Sequence, residues 1–121
     1  MTRLALRLIL FVVMAAVAGL LGRGSWAQDT QTLSAGRAVY TKWCAPCHDP
    51  GVTHPGTHAL TVKYQGVKSG VLLEWKDLPV TTVKMFVRHG ISVMPQFRKT
   101  EISDRELDAL AAYLARNTPS K

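Results

Sequence analysis

Two thiols and an imidazole stand together at Cys44-Ala45-Pro46-Cys47-His48, in the C-x-x-C-H spacing of covalent haem attachment. Thiols three positions apart share one turn and can each bond a vinyl edge of a single porphyrin. The imidazole directly after the second thiol then lies under the iron and supplies one axial nitrogen. Cys44 and Cys47 are the only two cysteines among 121 residues, so no other thiol competes for the role. The chemistry implied is one haem c, held by Cys44 and Cys47, with its iron on His48.

Other uses of the same residues ask for patterns that are missing. A thioredoxin-like redox pair expects a neighbouring β-α-β pattern, and none is visible. A zinc site needs two further ligands at regular spacing. His54, His58 and His89 could offer nitrogens, but His54 and His58 sit among Pro and Gly with no second paired knuckle. A simple disulfide is the remaining alternative.

The second axial position of the iron points to Met94, in Val93-Met94-Pro95-Gln96-Phe97. This short stretch lies between two helical patterns, where a thioether on a loop can swing across the face opposite His48. Pro95 stiffens the backbone just after it. The competing readings are that Met94 fills a gap in the core, as methionine often does, or that His89, His54 or His58 completes a bis-histidine iron. Met85, the other methionine in this half of the chain, sits mid-helix on an apolar spacing and reads as core.

The elements that must hold these groups are helices. Ser34 suits an N-cap, and Ala35 to Trp43 reads as a helix running into the thiols. From Asp49 to Gly70 the breakers Pro50, Gly51, Pro55, Gly56, Gly66 and Gly70 predict a loop with short helical turns around Leu60–Tyr64. Another turn is expected at Leu72–Trp75. Pro79 to His89 carries Val80, Val83 and Val87 on helical spacing, with Gly90 at the stop position. Ser103-Asp104-Arg105-Glu106 is a capping-box pattern. It opens a helix whose Leu107, Leu110, Ala111 and Leu114 form an apolar stripe. Three main helices without a convincing strand predict an all-α domain wrapped around one haem.

Residues 1–27 read as a secretory signal peptide. Arg3 and Arg7 precede an apolar run, Leu8–Leu21, and Ser25-Trp26-Ala27 offers small residues for cleavage after Ala27. The run is short of the ~20 residues a spanning helix needs, which disfavours an uncleaved anchor. Residues 28–121 then form a single domain in the periplasm, where thiols receive haem after export. Cleavage removes three of the fifteen Lys and Arg and none of the eight Asp and Glu, lowering the formal charge from +7 to +4. Nothing beyond this mild charge suggests nucleic-acid binding. It suits an acidic protein partner better. Lys42, Lys63, Lys84, Arg88, Arg98 and Lys99 could form a positive rim, or each could be ordinary solvated surface.

The order of haem motif, long loop, helix, Met-Pro loop and C-terminal helix resembles the class I c-type cytochromes over nearly all of residues 28–121. In that family a glycine and an aromatic on the first helix let it cross closely over the last one. Gly36 and Tyr40 match these positions, facing Leu110, Tyr113 and Leu114. The resemblance implies single-electron transfer through a haem ligated by His48 and Met94. Within the family, Leu78-Pro79 and the stretch from Arg88 to Ile102 look like the cytochrome subunit of flavocytochromes that oxidise alkylphenols. That narrower likeness implies a flavoprotein dehydrogenase subunit as electron donor and a separate acceptor protein downstream. The alternatives are a free-standing electron shuttle, or a haem enzyme or sensor with an open sixth site.

Overall fold

The computed structural model describes residues 23–118. The apolar run Leu8–Leu21 of the signal peptide read over residues 1–27 lies outside the described residues, and only its last five positions, 23–27, fall within them. The chain divides into two units, Met1–Gln31 and Thr32–Lys121, and every candidate haem residue belongs to the second. Its described elements are helical. Helix α1 spans Arg23–Val39 and passes into a π-helical turn, Tyr40–Cys44. Helix α2 spans Ala45–His48, α3 Pro55–Tyr64, α4 Val80–His89 and α5 Asp104–Ala115, with a 3₁₀ turn at Leu72–Glu74 between α3 and α4. No strand occurs among the described residues. The all-α expectation holds.

Helix α5 starts where the sequence places it. Ser103 Oγ accepts from the Glu106 N–H, while the Glu106 carboxylate accepts from the Ser103 N–H at 2.8 Å, a reciprocal capping box. The stripe Leu107, Leu110, Ala111, Leu114 is buried, and Leu110 is fully inaccessible. Helix α4 buries Val83 and Val87 against the same core and ends at Gly90 with φ +68.

The crossing of α1 over α5 depends on Gly36. A β-carbon there would stand 2.6 Å from the Ala109 carbonyl carbon and 2.7 Å from Tyr113 Cβ, so only glycine allows this approach. One turn on, Tyr40 is buried, and its ring tilts against Tyr113 at 5.9 Å.

Three local expectations are corrected. Helix α1 does not begin at Ser34, which lies inside it. No Pro or Gly interrupts residues 25–35, so nothing forces the backbone out of the helix there. The stretch read as loop contains the ten-residue helix α3. Pro55 occupies its first turn, where the missing N–H costs nothing, and the chain leaves through left-handed Gln65, φ +46. Met85 is not core but about half exposed. It follows Val83 by two positions, roughly 200° around a helix, and so points away from the buried face.

Candidate functional site

The residues Tyr40 to His48 are helical throughout, but the pitch changes at the first thiol. The five-residue π turn ends at Cys44, and the Ala45 N–H returns to the Tyr40 carbonyl. Such a widened turn re-aims the side chains that follow it, and π turns often sit at functional sites. Cys44 is buried and Cys47 exposed, and both are free thiols rather than a disulfide. Burial, reinforced by Cys47, pushes the Cys44 thiol up to about 12, so it stays protonated and uncharged near neutrality.

The His48 ring is held below the usual histidine range by burial, which keeps it neutral, the form that donates a lone pair to a metal. Its Nδ1 is buried with no hydrogen-bond partner. Gly56, in the first turn of α3, lies directly against the ring. A β-carbon there would meet His48 Cε1 and the Cys47 carbonyl, each at 2.7 Å.

Side chains from outside α2 fasten its short turn. The Tyr40 hydroxyl lies 3.1 Å from both the His48 carbonyl and Asp49 Oδ1. Burial, then the Asp49 contact, raises the Tyr40 hydroxyl well above the ordinary tyrosine value, keeping its proton in place as donor. Thr57 Oγ1, buried on α3, donates to the Asp49 carbonyl at 2.9 Å. His54 Nδ1 lies 3.1 Å from the Pro46 carbonyl.

Met94 occupies a tight turn just beyond α4. Ile91 and Met94 exchange two backbone hydrogen bonds, 3.1 and 2.9 Å. The following chain is pinned to α4 by Phe97 N–H donating to the Val87 carbonyl at 2.8 Å and by Arg88 Nη1 donating to the Phe97 carbonyl at 3.0 Å. Met94 is partly buried and packs on the same apolar cluster that contains Cys44, as do Trp43 and Phe97. Its neighbours Val93 and Ile91 are exposed.

The competing ligands are placed elsewhere. His89 is exposed, with its Nδ1 on the Met85 carbonyl at 2.9 Å. His58 is exposed on α3. Among the described residues no three His, Cys, Asp or Glu side chains gather as a metal site. The Trp75 N–H donates to the Ser69 carbonyl at 2.7 Å, so it is not free for a porphyrin propionate. Most of the basic rim is paired: Lys84 with Asp108, Arg88 and Lys99 with Asp104, Arg98 with Glu101. Such exposed pairs are worth little individually, and they favour the solvated-surface reading over a docking role.

Sequence reasoning did not single out Gly56, Thr57 or Gly90 as site residues, and it saw His54 only as a spare nitrogen. For Gly56 and Thr57 no local pattern distinguishes a residue touching His48 or Asp49 from one in any loop. The His54 contact had a readable cue in the Pro46–Pro50 spacing.

Two free thiols three positions apart and a neutral, partly buried imidazole whose Nδ1 is unpartnered fit a covalently held haem. The model of the family described as cytochrome C oxidase, cbb3-type, subunit III matches residues 31–114. The 4-cresol dehydrogenase [hydroxylating] cytochrome c subunit of Pseudomonas putida is 33% identical over 97 residues, spanning 80% of this chain and 73% of that protein. No solved structure matches. The chain therefore belongs to the cytochrome c family, whose members carry covalently bound haem c and transfer electrons.

Proposed function

We propose that this chain is the electron-accepting cytochrome subunit of a periplasmic flavoprotein dehydrogenase acting on alkylphenol-type substrates. Cys44 and Cys47 would hold the haem as thioethers, and His48 and Met94 would ligate its iron. The observation that carries the electron-transfer reading is the His48 imidazole, neutral and partly buried one residue beyond a pair of free thiols. The identity to the cresol dehydrogenase cytochrome subunit over four fifths of the chain supports the flavoprotein partner. Among the described residues no helix is long and apolar enough to cross a membrane, and the basic, apolar, small-residue order of residues 1–27 supports export.

When bound, haem c supplies a one-electron ferric/ferrous couple. The chain's part is to hold, orient and enclose. Cys44 anchors from within the core and Cys47 from its exposed edge, so one side of the attachment faces solvent. His48 is kept neutral by burial and braced through its carbonyl by Tyr40. Met94 is presented by a closed turn rather than a free loop. The Met94 sulfur and the His48 nitrogen, both held on the iron, would favour its reduced form and would disfavour oxygen or peroxide binding. Substrate oxidation then falls to the flavin-bearing chain.

The test is to mature the protein in a host competent for cytochrome c and mix it with the flavoprotein subunit of an alkylphenol dehydrogenase. Addition of an alkylphenol should reduce the cytochrome only when the flavoprotein is present. The pyridine spectrum should show two saturated vinyl groups, and the reduced protein should bind carbon monoxide poorly. Reduction by many unrelated donors, with no flavoprotein co-purifying, would favour the free shuttle. Prompt carbon monoxide uptake would favour an open-site enzyme or sensor.

A further inference from the structure

Helix α2 is four residues long, so its last carbonyls have no continuing helix to supply donors. That of Ala45 is met by the Asp49 N–H at 3.0 Å. The next, on Pro46, would fall to residue 50, but Pro50 has no N–H to give. Asp49 has in any case already turned to extended backbone, φ −68 and ψ 159. His54 fills the gap, with its Nδ1 3.1 Å from the Pro46 oxygen. A carbonyl only accepts, so the proton of this bond sits on Nδ1 of His54.

His54 is itself well braced for the purpose. It precedes Pro55, which confines it to extended backbone, and it is found there, φ −90 and ψ 109. Its carbonyl accepts from the His58 N–H at 2.9 Å, and its N–H reaches the Gly51 carbonyl at 3.3 Å. The carbonyls of the two residues on either side of Cys47 are thus held from outside α2. Tyr40 grips the His48 carbonyl, and His54 grips the Pro46 carbonyl.

We propose that His54 is a positioning residue for haem attachment and ligation: by fixing the Pro46–Cys47 peptide, it sets the direction of the Cys47 thiol and of the His48 ring. This rests on the reading that Cys47 holds the haem and His48 its iron. The role runs through the Nδ1 hydrogen bond to the Pro46 carbonyl and not through a bond to the iron.

The test uses the matured full chain with His54→Leu, which has no donor, and His54→Asn, whose amide NH₂ can stand where Nδ1 does. The readouts are the order and spread of the haem-methyl resonances of the ferric protein, which follow the plane of the axial imidazole, and the midpoint potential. His54→Leu should alter the methyl pattern and shift the potential, and His54→Asn should restore both. If His54→Leu yields no haem-bearing protein, near-normal holoprotein from His54→Asn supports the role, and failure of both variants overturns it. A wild-type methyl pattern in His54→Leu, or an altered pattern in His54→Asn, overturns it as well. A wild-type chain that emerges without haem refutes the underlying reading, whereas normal wild-type haem with an indifferent His54→Leu refutes only this proposal.

Discussion

The carbonyl of Met94 lies so close over Gly90 that a β-carbon on the glycine would stand 2.6 Å from the Met94 oxygen. Gly90 does two jobs at once. Its φ of +68 ends α4, and its bare Cα leaves room for the turn that returns Met94 to the core. The helix stop read in the sequence is therefore also part of the apparatus that presents the thioether.

Gly90→Ala should disturb both functions. Backbone strain in this region costs about 1–3 kcal/mol, and the clash with Met94 adds to it. Chemical denaturation should show the loss of stability, and the weak near-infrared sulfur-to-iron band should fade in the oxidised protein. Gly66→Ala is the control, because its φ of +84 is also positive but nothing lies within 4 Å. It should cost stability while leaving the band intact. An undiminished band in Gly90→Ala would detach Gly90 from the placement of Met94.

Met94→Ala should keep the haem attached through Cys44 and Cys47 while lowering the midpoint potential and opening the iron to carbon monoxide. Optical titration reads both effects. Unchanged potential and unchanged affinity together would reject Met94 as the axial group.

Gly36→Leu should weaken the crossing of α1 over α5. Overpacking typically costs ~1–3 kcal/mol, and here the obstruction is the Ala109 backbone, which cannot rotate away as a side chain would. The melting temperature should fall. An unaltered value would show that the helices cross with room to spare.

Acid should loosen the start of α5. Hydrogen bonds from Ser103 hold Glu106 below the usual carboxylate range, and bonds from Lys99 and Arg88 do the same for Asp104. Both carboxylates therefore take up protons at lower pH in the folded chain than in the unfolded one. Their contribution is complete above the ordinary carboxylate range and is lost as pH falls through the depressed values. Denaturation midpoints measured downward from neutrality should show a shallower acid-side decline in Glu106→Gln than in the parent. Ser103→Ala should cost about 0.5–2 kcal/mol near neutrality through loss of the cap. Parallel acid profiles for parent and Glu106→Gln would contradict this account.

The haem motif, the capping box, the stripe Leu107–Leu114 and the stop at Gly90 could all be read from residue order, because each works over one or two turns. A thiol spacing or an i, i+3, i+4 pattern carries its geometry in the chain itself. Gly36 became readable only through family likeness, since a lone glycine in a helix does not announce what crosses it.

Where local patterns conflicted with packing, the tertiary structure decided. The breakers around Pro55 and Gly56 read as loop, yet they open α3, because a proline is tolerated in a first turn and a missing Cβ lets the helix reach His48. Met85 carries an apolar side chain, but its angle around α4 sends it outward. The donors that brace α2 come from Tyr40, His54 and Thr57, each eight positions from the carbonyl it grips. Covalent chemistry is written in adjacent residues. Its orientation depends on hydrogen bonds and close contacts between segments that meet only once the chain has folded.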